Sequence, residues 1–451
     1  EAAFLSGHFG DLIDVRAEEK RREAAGHMEG LLGITPERYV CDMHPKYVSA
    51  QPLREGKTQA TVYSAMQLQQ KKIQHHHAHI LSVMAEHHLS ERVLGVAYDG
   101  TGYGDDGTIW GGEFLLCDGV SYTRAGHLLS VAMAGGDIVA KDAYASAEAY
   151  LFAAEQAGYL KGEEHPFTGK AIMKYLSDRQ PADGTPDAVL RFPESRTQED
   201  APREADLKEK IRQKELRRAA LSRDMGVAAS SSVGRLFDAA AVILGLGEAN
   251  HFEGQLACRL QYAAQRYERR KLKGDGSAFL AEDAGGQSAP AFGADTQGPT
   301  VLPFPIKKEP TRGGCVYIAD TLRLVASLVR ERNAILREMA FAFPSEEEKA
   351  QDTRNGTDKD DTRKAQMFSE RMDELAFAFH EAIACMTATM CDIICGDEVP
   401  VALSGGTFAN GLILRLLLPK LAAKGYTVYM NEKVPCGDGG LALGQLYAAT
   451  F

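Results

Sequence analysis

Residues 74–88, QHHHAHILSVMAEHH, hold six of the chain's 13 histidines. His75 and His79 stand four apart, so a helix projects both imidazoles from one face, where they can converge on one ion. His76 and His77 then point elsewhere. Two imidazoles alone bind an ion weakly, so a metal site here needs carboxylates from other segments. Without them the cluster reads as a solvated patch.

Three further stretches carry chemistry-bearing residues. In YDGTGYGDDG (98–107), Asp99 closes an apolar run and is followed by glycines. That places a carboxylate and bare backbone N–H groups at the carboxyl end of a sheet, where α/β folds bind ligands; a tight hairpin turn has the same composition. In LSGGTFAN (403–410), Gly405 and Gly406 lie between a strand and a helix. This resembles a phosphate-cradling turn facing a helix N-terminus, without the lysine of a Walker loop, and a tight connection is the alternative. In CGDGGLALGQ (436–445), Asp438 stands at a helix start, where it either caps the helix or reaches a cation.

The elements that must position these residues alternate in type. The first 35 residues read as an amphipathic helix, ERYVCDMHPKY (37–47) as a strand, and 61–90 as helix. RVLGVAYDG (92–100) reads as a buried strand ending at Asp-Gly, TGYGDDG as a turn, and 108–119 as the returning strand. Residues 141–225 read as mostly helical, 230–267 as two helices around a glycine-rich turn, and 367–395 as a long helix. Strand, glycine turn and helix follow over 399–421, then strand, loop and helix over 426–449. Stretches 271–300 and 343–365 lack apolar periodicity and read as loops or insertions. Strands alternating with helices indicate an α/β architecture.

Composition narrows the class. Lys and Arg total 51 against 62 Asp and Glu, a net charge of −11, which argues against nucleic-acid binding, an affinity that rests on phosphate neutralisation. No run approaches the roughly 20 apolar residues of a membrane span, and the N-terminus has no signal-peptide pattern. The eight cysteines form no CxxC pair, so reduced thiols and a cytoplasmic location are expected. Cys391 and Cys395 read as buried free thiols in an apolar helix.

Together the motifs resemble a family. QHHHAHILSVMAEHHLSERVLGVAYDGTGYGDDGTIWGGEFLL is similar to the most distinctive block of the hydrogenase-maturation carbamoyltransferases, HypF. FLSGHFGDL, DMHPKYVSAQ, GRLFDAAAVILGL, FEGQLA, VALSGGTFAN and PCGDGGLALGQ resemble its other blocks, in order. The related tRNA threonylcarbamoyl transferases share several motifs but lack DGTIWGGEF.

The resemblance implies a two-lobed α/β fold of the actin/Hsp70/sugar-kinase (ASKHA) type with nucleotide between the lobes. It implies domain bounds of 1–36, a helical segment of a domain whose start is missing, 37–225, a first lobe, and 226–451, a second. The implied activity passes a carbamoyl group, activated from carbamoyl phosphate and ATP as carbamoyl adenylate, to the C-terminal Cys thiol of a HypE-like acceptor. That transfer leads to the cyanide ligands of [NiFe] hydrogenase. Carried over by position, His75, His79, Asp99 and Asp438 bind one metal, iron or zinc. Gly100 and Gly102 approach the ligand through backbone. Gly405, Gly406 and Asn410 hold phosphate and ribose. Asp238 and Glu253, with Gly254 beside them, meet the ribose. The neighbouring histidines line the cleft, and Mg²⁺ is a companion of the nucleotide. No catalytic base is identified. The upstream acylphosphatase, zinc-finger and YrdC-like domains of the family are not in this sequence, and Ala143, Tyr144 and Ala145 replace its Pro-Trp-Arg-like block. Two alternatives remain: O-carbamoylation of a small molecule, and a non-catalytic nucleotide-binding partner module.

Overall fold

The computed structural model describes residues 2–10, 12–50, 69–161, 204–274, 300–311, 314–342, 357–396 and 399–450. Helix α1, Val15–Leu32, starts where the Asp14 side chain accepts the Arg16 N–H and stops at Gly33 in the left-handed region. Strand β1, Arg38–Asp42, pairs in parallel with β2, Gln69–Ile73. Helix was expected across 61–90. Residues 61–68 lie outside the described part, and 69–73 are strand instead. Their glutamines and lysines have fair helix propensity, but tertiary partners override it: Gln70 donates to Cys41 Sγ and the Lys71 ammonium to the Ala448 carbonyl.

Helix α2, His75–Glu86, begins where the Gln74 side chain accepts the His77 N–H, and it is buried on nearly every side. Strands β3 (Val93–Tyr103), β4 (Ile109–Asp118) and β5 (Ser121–Leu128) form an antiparallel meander. Then come β6 (Val131–Ala134), α3 (Ala143–Gln156), α4 (Glu204–Ser222), β7 (Val227–Ser230), α5 (Val233–Ile243) and α6 (Gln255–Gly274). The chain continues through β8 (Ile306–Thr311), β9 (Gly314–Ala319), α7 (Thr321–Ala342) and α8 (Thr357–Cys395). It ends with β10 (Val401–Ser404), α9 (Gly411–Ala423), β11 (Val428–Met430) and α10 (Leu441–Ala449). Of the two expected insertions, 275–299 and 343–356 fall outside the described residues, whereas 357–365 begin α8 rather than a loop.

Nine strands form one mixed sheet. Its main path runs β11-β10-β3-β4-β5-β9-β8, with β7 joined to β4 and β6. β10 lies parallel to β3, so the strand before Gly405 is set beside the strand carrying Asp99 although about 300 residues separate them. Strands from both expected segments, 37–225 and 226–451, pair within this one sheet. A correction concerns Asp99. It does not end its strand; β3 runs on to Tyr103, and its register with β4 shifts between Tyr98 and Gly102. Such a bulge re-aims a side chain without ending the pairing.

Close approach fixes α2 on the sheet. A Cβ on Gly95 of β3 would lie 2.3 Å from the Ile80 side chain. Within the meander, the fully buried Glu113 carboxylate takes the Arg124 Nε–H at 2.7 Å and the Ser231 hydroxyl at 2.5 Å, plus the N–H groups of Gly111 and Gly112. Arg124 also covers the Trp110 ring at 4.0 Å. Arg124→Met would leave the Glu113 charge buried without its cation, so we expect a loss of about 3 kcal/mol in urea unfolding. A change below about 1 kcal/mol, the level of an exposed pair, would show the pair to be dispensable.

Among the described residues one helix segment, Gln366–Cys395, is long and apolar enough by composition to cross a membrane, which qualifies the sequence expectation. Most of it is buried, and α8 packs against α6, α9 and α7. All eight cysteines are free thiols, with Cys391 buried and Cys395 half-buried.

Candidate metal centre

The first two turns of α2, the β3 bulge and the loop before α10 converge on one point. His75 Nε2 lies 3.2 Å from Asp99 Oδ2 and 3.6 Å from Asp438 Oδ1. His79 Nε2 lies 3.7 Å from each of the same two oxygens. One donor atom from each of the four residues falls within 4.8 Å of all the others. His79 is wholly buried, and neither of its ring nitrogens has a hydrogen-bond partner. Buried polar atoms are nearly always satisfied, so an orphaned imidazole facing two carboxylates marks a place for a cation. The spacing agrees: ligands at about 2.1 Å from a tetrahedral ion stand about 3.4 Å apart. Two nitrogens and two carboxylate oxygens suit zinc or iron.

A residue overlooked in the sequence completes the arrangement. Asp42, at the end of β1, receives His75 Nδ1 at 2.8 Å through Oδ2, and its Oδ1 accepts the His44 N–H at 2.7 Å. A carboxylate on the far nitrogen of a ligand histidine sets its tautomer and aims the other nitrogen at the ion. Only the parallel pairing of Asp42 with Ile73, two residues before His75, brings it there; no sequence spacing signals it.

The electrostatics follow from this crowding. Burial disfavours a charged His75, but the carboxylates of Asp42, Asp438 and Asp99 outweigh it and hold its pKa well above the ordinary value. Burial likewise opposes the Asp99 charge, yet His75 and His79 hold its pKa well below the usual carboxylate range. His76 and His77 do not line a cleft, contrary to expectation. They are core residues, kept neutral by burial, His77 with a pKa of about 4. His76 meets Gln74 and the Trp110 ring, and His77 meets Tyr122 and the Gly119 carbonyl.

The expected nucleotide residues take mixed places. Gly405 and Gly406 reach the site, but their N–H groups are used internally, Gly405 to the Cys436 carbonyl at 2.8 Å and Gly406 to Asp99 Oδ1 at 3.2 Å. Gly405 has φ +105°, and a Cβ there would lie 2.2 Å from the Tyr98 carbonyl oxygen, so glycine is needed for the crossing. Gly102 makes room for the histidines: its Cβ would sit 2.5 Å from the His76 ring and 2.7 Å from that of His75. Space opens beside Gly100, against which the N-terminus of α5 rests at Gly234. Asp238, one turn along α5 from Gly234, is buried on Arg235 at 3.0 Å and Asn250 at 3.0 Å; burial raises its pKa. Glu253 is exposed and Gly254 is a left-handed turn before α6. Asn410 caps α9 through Oδ1, while its amide meets His380 Nε2 at 3.0 Å. Its side chain is therefore already committed.

Residues 95–281 and 313–445 match the family "Carbamoyltransferase, Kae1-like Domain, second subdomain", and residues 1–86 match the "HypF Kae1-like domain". Carbamoyltransferase HypF2 of Cupriavidus necator is 30% identical over 449 residues, 100% of this chain and 44% of that protein. A second protein of that organism, Carbamoyltransferase HypF homolog, is 27% identical across 97% of this chain and 82% of its own length. The chain thus spans less than half of HypF2. A crystal structure of full-length HypF in the phosphate- and nucleotide-bound form superposes with TM-score 0.65 at 25% identity, over 98% of this chain and 43% of that one. HypF of T. kodakarensis, at 22% identity and TM-score 0.61, shares the fold over 98% of this chain and 44% of its own. The mixed α/β fold is of the Kae1-like, ASKHA type, and the chain belongs to the Kae1-like domain family of the HypF carbamoyltransferases.

Proposed function

We propose that this chain is the transfer module of a hydrogenase-maturation carbamoyltransferase. It takes the carbamoyl group of carbamoyl adenylate, formed from carbamoyl phosphate and ATP, and passes it to the C-terminal Cys thiol of a HypE-like acceptor. The observation that carries the reading is the His75–His79–Asp99–Asp438 cluster beside the open backbone of Gly100. Support comes from the nucleotide- and phosphate-bound state of the full-length HypF relative.

The four cluster residues would hold one divalent ion, zinc or iron. Such an ion supplies positive charge that neutralises phosphate oxygens. Asp42 aims His75 at it, and Asp99 ties it to the Gly405–Gly406 turn through the Gly406 N–H. The buried faces of His75, His79 and Asp99 keep that side of the site dry, which strengthens each charge interaction. The adenylate would bind over the open backbone of Gly100 at the α5 N-terminus, with Mg²⁺ accompanying ATP. In the transfer, the acceptor thiolate bonds to the carbamoyl carbon, the bond from that carbon to the phosphate oxygen breaks, and AMP leaves with the electron pair. A cationic site lowers the acceptor thiol's pKa and so raises the thiolate fraction.

The test supplies the chain with carbamoyl phosphate, ATP, an adenylate-forming partner and an acceptor ending in Cys, and reads the acceptor by mass spectrometry. We expect one carbamoyl group on the terminal thiol. With a small sugar added as a competing acceptor, carbamoylation of its hydroxyl in place of the thiol would make the chain a small-molecule enzyme. Acceptor binding without any transfer would make it a docking module.

A further inference from the structure

The face of α2 that carries the two histidines does not end with them. Ser82 and Glu86 follow at the same helical spacing, so His75, His79, Ser82 and Glu86 form one stripe. Its second half grips the loop that brings in Asp438. The Glu86 carboxylate accepts three consecutive backbone N–H groups, Glu432 at 2.9 Å, Lys433 at 2.8 Å and Val434 at 3.1 Å, together with the Asn431 amide at 3.1 Å. The same Asn431 amide donates to Ser82 Oγ at 2.9 Å. Its Oδ1 accepts the Ser404 hydroxyl at 2.8 Å, and the Cys436 carbonyl accepts the Gly405 N–H. Loop 431–436 is thereby pinned to α2 on one side and to the β10 turn on the other, both of which carry or touch other members of the cluster.

Asp438 has need of such support. Its side chain is 72% exposed, against 11% for Asp99. It does not cap the following helix, whose N-cap is Gly440 without a side-chain bond. Left to itself, an exposed carboxylate on a glycine-flanked loop would spend much of its time away from the histidines. Four donors on one carboxylate hold Glu86 ionised, its pKa lowered against the opposing effect of burial.

We propose that Glu86 is a positioning residue: it fixes the 431–436 loop so that Asp438 reaches the ion held by His75, His79 and Asp99. This rests on the metal reading above. One helix face would then supply two ligands and place a third.

The test titrates the metal-stripped chain with Zn²⁺ and, under anaerobic conditions, Fe²⁺, against a chromophoric chelator. It compares wild type, Glu86→Gln, Asp438→Asn and the double variant, with hydrogen exchange followed at amides 432–434. Gln keeps the size but turns an amide donor toward N–H donors. We expect Glu86→Gln to weaken the metal at least about tenfold, in the range for lost supporting residues, and amides 432–434 to exchange at least about tenfold faster. In the Asp438→Asn background, Glu86→Gln should weaken it no further, because its effect passes through Asp438. Asn431→Ala, which releases the same loop from the side, should weaken binding in the same direction and covers a failure of Glu86→Gln to fold. Wild-type affinity in Glu86→Gln, fully additive losses in the double variant, or unchanged exchange at 432–434 would overturn the proposal while Asp438→Asn still showed the metal site. A wild type that binds neither ion would instead overturn the metal reading, and the positioning role with it.

Discussion

Gly444→Ala should destabilise the chain by about 3 kcal/mol or more, read from urea unfolding of the metal-free protein. Gly444 lies in α10 where that helix crosses α2. A Cβ there would stand 1.8 Å from the Ala78 carbonyl oxygen and 2.8 Å from the Ser82 N–H nitrogen. Both neighbours are backbone, so no side chain can swing aside, and one helix must move. Ala78 lies between His77 and His79, so a shift of α2 also displaces a ligand histidine. Loss of metal affinity should therefore accompany the loss of stability. A change below about 1 kcal/mol would mean that α10 crosses α2 less closely than it does here.

Asp99→Asn should cost metal affinity on the order of 100-fold or more, beyond the range seen for outer supporting residues. Asp99 Oδ2 is the oxygen that faces both His75 and His79, and Oδ1 holds the Gly406 N–H. An asparagine retains the acceptor for Gly406 but lacks the charge that balances the ion. The fold should persist by circular dichroism while transfer to the acceptor thiol disappears. Metal affinity within about twofold of wild type would remove Asp99 from the ligand set.

Parts of this were readable from residue types alone. The His75/His79 pair needed only helical spacing, and it is the one ligand pair on a single element. The glycine pair at 405 and 406 read as a phosphate-cradling turn or a tight connection, and at Gly405 the close crossing admits only glycine. Asp99 and Asp438 were nameable through the family resemblance. The same resemblance implied that they meet the histidines at one metal, but residue spacing alone gave no such convergence, since it depends on β10 pairing beside β3 and on a bulge that only strand register reveals. Asp42 stayed hidden for the same reason. β1 was read as a strand, but its partner β2 is short and polar, and QQKKI carries no strand signal until that parallel pairing is known. The edge strand β8, IKKEPT, is mostly exposed, so it lacks the buried alternation that identifies a strand. His76 and His77 misled in the opposite sense: expected to line the cleft, they are buried core residues.

The measurement that tests the account most directly is the affinity of the wild-type chain for a non-hydrolysable ATP analogue, with the metal loaded and with it stripped. If the cluster neutralises phosphate charge, the two binding events are linked, and each must tighten the other by the same factor. The account predicts at least about tenfold tighter nucleotide with metal, a difference of about 1.4 kcal/mol, and no such gain in His79→Ala or Asp438→Ala. Equal affinity in both states of the wild type would contradict it, leaving the cluster a structural feature of the fold and the nucleotide site elsewhere.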